Sequence, residues 1–443
     1  MNNELDALRR EQAEAETAIG DKSAETTKWK RRLNEIRTPR EYQALSREVE
    51  QNERAVKNLE ERVMELMAIP GDSGREADVA NYLIGHLRSA GAKASWISSD
   101  QVQKRTPLQG NTGNLVCVLP GTVRGPRRLL MAHMDTVPIC VGSKPVRKGN
   151  KMVSANPDSG LGADNRAGCA VTLMAACEIL SRGLDHPPLT FLWTVQEEIG
   201  LHGARLLAKG SLKSPKLCFN WDGGAANKLT IGATGGYRME IRITGLASHA
   251  GGAPEAGVSA IAIAGLAIAD LQRRGWHGAI KKRGKLGTSN IGVIQGGAAT
   301  NVVCDEVTLR AEARSHDPVF REEIVNEIEA AFSRAATRVT NHEGMNGQVE
   351  FRGNLDYEAF KISQDHPCVK AGIQAVSQAG LEPEFAVANG GLDANWLSAR
   401  GLPTVSFGCG QVNQHMKTEE LMVDEYLKAC QIAMTLATAS ENT

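Results

Sequence analysis

Residues 189–200, with the sequence LTFLWTVQEEIG, combine a largely apolar run with two adjacent carboxylates. A short apolar run rich in β-branched and aromatic residues predicts a buried strand over Leu189–Val195. Glu197 and Glu198 follow it directly, and carboxylates at the end of a buried strand are costly unless a cation neutralises them. Adjacent residues point in opposite directions, so one carboxylate can bind a cation while the other faces water. The pattern favours a functional site over the alternative, a solvated acidic loop.

Further strands and helices follow outward from this run. Apolar patterns predict a helix at residues 167–180. They also predict four more buried strands, at residues 114–119, 128–132, 217–221 and 404–407. Strands that alternate with helices are typical of an α/β domain with a central sheet. The sequence therefore predicts the α/β class, with a catalytic domain in two parts at 68–234 and 352–443.

Residues able to bind a metal ion follow several of these elements, namely His133, Asp135, Asp164, Asp222 and His415. Zinc takes nitrogen and oxygen ligands, and a two-zinc site needs a bridging carboxylate, ligands on each side and a separate carboxylate to accept a proton. Each residue alone has a simpler interpretation: a solvated strand end or loop, a helix N-cap at Asp164, or an Asp-Gly turn at Asp222. Together, on the rim of one sheet, they predict a metal centre.

Residues 235–351 have a different pattern from the segments on either side. Polar and apolar residues alternate over 238–244, as in a half-exposed strand. A helix, two strands and a second helix are predicted after it, at 258–271, 289–294, 303–314 and 320–339. This order predicts a small α+β domain inserted into the α/β domain. His249 lies in it, within ASHAG, where a surface turn is the simpler interpretation.

Residues 1–67 are dense in charged residues, alanine and glutamine, and contain one glycine. In the second half, spacings of four and three residues mark a coiled-coil seam at Leu45, Val49, Asn52, Val56, Leu59, Val63 and Leu66. Thr38 can cap a helix that begins at Pro39. We therefore expect a hairpin of two antiparallel helices. The hairpin could be exposed to solvent, or it could pair with a second copy of the chain or with another protein. Its segment TPREYQALSREVE resembles the coiled coil of bacterial zinc-ribbon proteins, whose cysteines are absent.

The amino-acid composition limits which functions and which cellular compartment are expected. Hydrophobic residues make up 42% and charged residues 23% of the 443-residue chain, and the formal net charge is +0. This balance favours neither a nucleic-acid partner nor an anionic membrane surface. Nine dispersed cysteines without a CxxC pair indicate free thiols in a reducing compartment. With no apolar signal core and no long apolar stretch, the sequence predicts a cytoplasmic protein without a spanning helix.

The ordered motifs HMD, GADN, QEEIG, WDGG, SHAG and NQH resemble the two-zinc exopeptidase superfamily, which includes peptidase T, glutamate carboxypeptidases and aminoacylase-like amidohydrolases. The resemblance to peptidase T is strongest, as in IPGDSGREADVANYLIGHLRSAGA and GGLDANWLSARGLPTVSFGCG. It covers roughly residues 60–443. It implies a zinc-exopeptidase catalytic domain with a mixed central sheet, an inserted α+β lid and dimerisation domain, and a homodimer.

The resemblance also implies roles for individual residues. One Zn²⁺ would be held by His133 and Asp222, and the other by Glu198 and His415, with Asp164 bridging both and Co²⁺ or Mn²⁺ as substitutes. Asp135 would orient His133, and Glu197 would be the general base. The remaining roles concern the substrate: His249 would stabilise the oxyanion, Arg314 and Asn301 would bind the polar end of the substrate, and Gly391 and Asp393 would form a loop beside it.

The function implied is metal-dependent hydrolysis of short peptides with release of the N-terminal residue. An N-acyl-amino-acid amidohydrolase or a carboxypeptidase would use the same metal ions, and the residues alone do not separate these alternatives. An alternative of another class is an interaction protein in which the coiled coil is the working part and the hydrolase fold a scaffold.

Overall fold

The computed structural model describes residues 39–438. Its helices are α1 Pro39–Ala68, α2 Ala77–Ser89, α3 Ala163–Arg182, α4 His202–Leu206, α5 Ala260–Arg274, α6 Pro318–Arg338, α7 Pro367–Gln378, α8 Asp393–Ala399 and α9 Val423–Thr438. The first nine strands are β1 Ile97–Ser99, β2 Leu115–Leu119, β3 Arg128–His133, β4 Pro145–Lys148, β5 Lys151–Ser154, β6 Leu189–Thr194, β7 Leu217–Trp221, β8 Lys228–Ala233 and β9 Gly235–Thr244. The others are β10 Gly278–Lys282, β11 Lys285–Gly296, β12 Glu306–Ser315, β13 Gln348–Tyr357, β14 Phe360–Lys361, β15 Glu384–Ala388, β16 Thr404–Phe407, β17 Gln411–Val412 and β18 Glu420–Met422.

The chain divides into two compact units. Within residues 39–438, the first comprises 39–232, Ile362–Val387 and 392–438, and the second comprises Ala233–Lys361 and Ala388–Gly391. Residue 351, the expected end of the inserted domain, lies inside β13. None of the helices within residues 39–438 is long and apolar enough to cross a membrane.

The main sheet of the first unit is mixed and follows the order β1-β2-β6-β3-β7-β16-β8, with β15 also paired to β8. Strands β6, β3, β7 and β16 are parallel to one another, so their carboxyl ends lie on the same edge of the sheet. Strands β3 and β6 are buried along their whole length, as expected for strands covered on both faces. The prediction of an α/β fold with a mixed central sheet is confirmed.

A smaller sheet of the first unit has the order β17-β18-β5-β4. The loop between β17 and β18 carries His415. Helix α3 is buried from Ala163 to Cys177 and packs against β3 and β7, which places Asp164 near the carboxyl ends of these strands. The two sheets and α3 thus position the polar residues that the sequence singles out.

Helix α1 begins at Pro39, and its last turns belong to the core of the first unit. Leu59, Val63 and Leu66 are buried, and α1 contacts α3 and α9. The hydroxyl of Tyr426 donates a hydrogen bond to the backbone oxygen of Leu59 at 3.3 Å. The end of the predicted coiled-coil seam is therefore an intrachain core contact, which uses the same spacing of apolar residues. The first helix of the predicted hairpin, with Thr38, lies outside the described residues.

Leu66→Ala is expected to destabilise the first unit by about 2–5 kcal/mol, because the substitution leaves a cavity at a fully buried position. Urea unfolding followed by circular dichroism would measure the shift in midpoint. Lys57→Ala on the exposed side of α1 is the control and should change the free energy of unfolding by no more than about 0.5 kcal/mol. An unchanged midpoint in Leu66→Ala would show that α1 does not support the core.

The second unit is an antiparallel sheet of order β10-β11-β12-β9-β13 with α5 and α6 against it. Its core includes Ile241, Leu309, Ile263 and Phe332. The sequence predicts β9, α5, β11, β12 and α6 but misses β10 and β13. Both strands lie at the edges of the sheet. Strand β10 is short and mostly exposed and lacks the apolar alternation that reveals a strand, whereas β13 begins with the alternating sequence QVEFR and crosses the expected domain end at residue 351.

Candidate metal centre

Three parallel strands bring most of the candidate residues to one edge of the main sheet. His133 ends β3, Asp222 follows β7, and Glu197 and Glu198 follow β6. His415 comes from the loop after β17. Since the carboxyl ends of parallel strands meet at one edge, residues far apart in sequence are close in space.

The first ligand set contains His133, Asp164 and Asp222. His133 Nε2 lies 3.4 Å from Asp164 Oδ1 and 3.9 Å from Asp222 Oδ1. One donor atom from each of the three lies within 4.8 Å of the others. Nitrogen and carboxylate oxygen at this spacing can surround one divalent ion.

The second ligand set contains Asp164, Glu198 and His415, and its donor atoms also lie within 4.8 Å of one another. His415 Nε2 is 3.0 Å from Glu198 Oε2 and 3.4 Å from Asp164 Oδ2. Asp164 therefore presents Oδ1 to one histidine and Oδ2 to the other. This is the arrangement expected of a carboxylate that bridges two ions.

A third grouping contains His133, Glu197 and Glu198. Distances alone therefore also allow Glu197 as a ligand. Glu197 and Glu198 are neighbours in sequence at the end of β6, and the two bridged sets use only Glu198. In this arrangement Glu197 is a carboxylate that lies beside the two ligand sets and belongs to neither.

Asp135 fixes the orientation of the His133 ring. His133 Nδ1 lies 3.1 Å from the backbone oxygen of Asp135 and 3.4 Å from its Oδ1. A carbonyl oxygen can only accept, so Nδ1 donates and Nε2 keeps its lone pair for a metal ion. The Asp135 carboxylate accepts hydrogen bonds from Ser73 Oγ at 2.6 Å and from the backbone N–H groups of Glu197 and Glu198 at 3.0 and 3.1 Å. Ser73 was not singled out from the sequence, although it lies in the quoted IPGDSG segment.

The electrostatics of the cluster favour a bound cation. Burial raises the pKa of Glu197 well above its usual range, and the charges of Asp222 and Glu198 add to this. Burial and the neighbouring charge of Asp164 raise the pKa of Asp222 to about 8. Hydrogen bonds to Asp164 and Glu198 raise the pKa of His415 to about 10. Packed carboxylates of this kind hold protons unless positive charge replaces them.

Asp164 supplies a second indication that these residues fit a metal ion. Its Oδ1 is buried and, within residues 39–438, has no hydrogen-bond partner. A buried carboxylate oxygen without a partner is costly, and a bound cation would remove that cost. The set of two imidazoles and three carboxylates is chemically suited to divalent zinc, cobalt or manganese.

Asp393 also lies in the first unit and is 1% exposed. The hydroxyl of Thr194 donates a hydrogen bond to its Oδ2, whereas Oδ1 has no partner within residues 39–438. Burial raises the pKa of Asp393 to about 6, and its charge contributes to the raised pKa of Glu197. The structure therefore brings Asp393 beside the general-base candidate.

The other four residues implied by the resemblance lie in the second unit, so their placement beside the metal centre stays a prediction. Asn301 and His249 are close together, since the backbone N–H of Ala250, the residue after His249, donates to the backbone oxygen of Asn301 at 2.9 Å. Gly251 and Gly252 donate backbone hydrogen bonds to His249 Nδ1 at 3.1 and 2.9 Å. Nδ1 is thus an acceptor, which makes Nε2 the protonated nitrogen of the neutral ring.

Arg314 and Gly391 lie in another part of the second unit. The Arg314 guanidinium donates to both carboxylate oxygens of Glu312, at 3.0 and 2.9 Å, and to the backbone oxygen of Asn389 at 3.4 Å. Gly391 lies against the ring of Tyr357, where an added Cβ would be 2.7 Å from ring carbons. The space at Gly391 therefore admits only glycine without rearrangement.

Comparison with known proteins assigns the chain to a family. The model of "Peptidase family M20/M25/M40" matches residues 129–439. Among curated relatives, YqjE of Bacillus subtilis is 32% identical over 381 residues, covering 86% of this chain and 97% of the relative. Carboxypeptidase G2 of a Pseudomonas species is 29% identical, covering 58% of this chain and 59% of the relative.

Solved structures give the same result. The aminopeptidase PepT of Bacillus cereus is 31% identical with a TM-score of 0.76, covering 86% of this chain and 98% of that chain. A tripeptidase of Staphylococcus aureus is 30% identical with a TM-score of 0.77, covering 86% and 97%. The resemblance drawn from the motifs is confirmed. The chain therefore belongs to peptidase family M20/M25/M40, and it is a metallopeptidase.

Proposed function

We propose that the protein is a two-zinc aminopeptidase that releases the N-terminal residue of short peptides. The observation that carries the proposal is the position of Asp164, whose two oxygens each lie 3.4 Å from a different histidine. A single carboxylate shared in this way fits two ions and is difficult to explain for one. His133 and Asp222 would hold one ion, and Glu198 and His415 the other. Bound zinc would supply polarisation of the scissile carbonyl and acidification of a water molecule.

Glu197 is the general base in this proposal. Asp135 accepts the backbone N–H of Glu197 and thereby holds the start of the acidic pair beside His133. The Glu197 carboxylate takes the proton from the attacking water and passes it to the leaving amide nitrogen. Because Glu197 is only 8% exposed, bulk water does not compete with the substrate for that proton.

The residues of the second unit complete the proposed substrate site. His249 would donate its Nε2–H to the developing oxyanion, a role that the neutral ring tautomer permits. Asn301 and Arg314 would bind the polar end of the peptide, and Gly391 and Asp393 would form the wall beside it. The unit would act as a lid that closes over the substrate.

The choice of an aminopeptidase is supported by the solved relatives. The two solved relatives named above are described as an aminopeptidase and a tripeptidase. A carboxypeptidase is the second candidate, favoured by the similarity to carboxypeptidase G2.

Three tripeptides distinguish these functions: a free peptide, its N-acetylated form and its C-terminally amidated form. An aminopeptidase is expected to cleave the free and amidated peptides, to release the N-terminal amino acid, and to be inhibited by a chelator. Mass spectrometry of the products identifies the bond that is cut. Cleavage of the acetylated peptide with loss of activity on the amidated one would instead establish a carboxypeptidase. Release of acetate alone would establish a deacylase.

We further infer a homodimer in the cytoplasm. Within residues 39–438 no second strand pairs with residues 292–296 of β11, and this edge carries no charged residue. Ile261 and Leu266 on α5 and Ile294 on β11 are exposed in the same unit. Uncharged strand edges and exposed apolar side chains are features of association surfaces. All nine cysteines are free and buried, which suits a reducing compartment.

A further inference from the structure

Glu419 connects the two loops that carry the bridging aspartate and the second histidine. It follows His415 by four residues, and its side chain is 1% exposed. One carboxylate oxygen accepts the backbone N–H of Gly162 at 2.6 Å, and the other accepts the backbone N–H of Asp164 at 2.9 Å. Both oxygens of Glu419 therefore bind the segment that presents Asp164.

The two loops are also packed directly against each other. A Cβ added to Gly160 would lie 2.9 Å from the backbone oxygen of Met416 and 3.3 Å from Glu419 Oε2. Cys140 Sγ lies 3.5 Å from the same carboxylate oxygen. The loop that leads to Asp164 is thus in direct contact with the loop of His415 and cannot move closer to it.

The backbone of the histidine loop needs such support. His415 has φ +63° and Asn413 φ +56°, in the left-handed region that residues with a Cβ seldom adopt. Such conformations persist only where the surroundings fix them. The backbone N–H of Glu419 donates to the Met416 oxygen at 3.1 Å and closes the turn after His415. Glu419 therefore stabilises the loop on which it lies as well as the loop it contacts.

We propose that Glu419 is a positioning residue that sets the separation of Asp164 and His415 and thereby the affinity of the metal site they share. The inference rests on the proposed two-metal centre. A carboxylate suits this place because both of its oxygens only accept, and both face N–H donors. Glutamine would turn an NH₂ group toward one of these donors and would thereby weaken the hold on the segment that presents Asp164.

Isothermal titration of the metal-stripped protein with Zn²⁺ tests the proposal without any substrate. Glu419→Gln is expected to weaken at least one of two binding steps by about 10–100-fold, the range for residues that orient metal ligands. Raising free Zn²⁺ should then restore kcat on a free tripeptide, with KM unchanged. Glu419→Asp keeps the charge but shortens the side chain by one methylene, and a smaller loss of affinity is expected.

Glu420→Gln is the matched control, because Glu420 is the next residue but forms an ion pair with Lys151, with Lys151 Nζ 2.6 Å from Glu420 Oε1, and contacts none of the metal ligands within residues 39–438. It should bind Zn²⁺ as the wild type does. A lower Tm in Glu419→Gln with unchanged Zn²⁺ affinity would overturn the proposal and leave only a structural role. A wild-type protein that binds a single ion would overturn the two-metal centre as well. Because titration needs no peptide, failure of the aminopeptidase proposal would be seen separately.

Discussion

Glu197→Gln is expected to lower kcat on a free tripeptide by about 10²–10⁴-fold while two metal ions stay bound. Glutamine has nearly the same shape, but its amide cannot accept the proton of the attacking water. The position is buried, so solvent water does not replace the lost base. Product formation by liquid chromatography and metal content by atomic emission would measure both quantities on one preparation.

Glu198→Gln is the natural control, since it changes the adjacent carboxylate in the same way. Glu198 lies 3.0 Å from His415 Nε2 and belongs to a ligand set, so this variant should lose metal affinity together with activity. If Glu197→Gln lost metal instead, the grouping of His133, Glu197 and Glu198 would be the true ligand set. Near-normal turnover in Glu197→Gln would exclude it as the base.

Removal of metal by a chelator is expected to abolish activity and to make stability strongly dependent on pH. The metal-free protein should show a Tm that falls as pH rises from 6 to 8.5, whereas the metal-loaded protein should change little. The physical reason is that protons replace the cations among the buried carboxylates, and these protons are lost as the pH rises. Differential scanning calorimetry of both forms across this range is the measurement.

The direction follows from the two kinds of group involved. The folded pKa of Asp222 is raised to about 8 by burial and Asp164, so its contribution to stability is full in acid and is lost as pH rises toward 8. The folded pKa of His415 is raised to about 10 by Asp164 and Glu198, so its contribution is present below its ordinary pKa and is also lost with rising pH. The pKa of Asp164 is lowered, which matters only in acid. A Tm of the stripped protein that rises over this range would contradict the assigned cluster.

The main sheet and its metal-ligand candidates could be predicted because their signals are local. A buried strand such as β6 is a continuous apolar run, and the residue that follows it must lie at the carboxyl edge of the sheet. His133 ends β3, and Glu198 and Asp222 follow the parallel strands β6 and β7 on either side of it, so the three residues lie at the same edge. The order of these three strands in the sheet differs from their order in the sequence, and only the fold shows it.

Other features depend on contacts that the sequence does not display. Ser73 and Glu419 are ordinary polar residues in glycine-containing or polar loops, and only the fold shows that they contact Asp135 and Asp164. Strand β10 is short and mostly exposed, so pairing with β11 defines it rather than its composition. The seam of α1 shows why a repeat of apolar residues does not identify the partner: a second helix of a coiled coil and the buried α3 accept the same stripe.

The end of α1 has a practical consequence for anyone who wishes to shorten the protein. Composition changes after Ala68, so a cut at that point would seem to separate an appendage from an enzyme. It would in fact strip Leu59, Val63 and Leu66 from the interior and leave α3 and α9 facing solvent along an apolar groove. The smallest self-sufficient enzyme must therefore start inside α1, upstream of Leu59, and not after Ala68, where the composition changes.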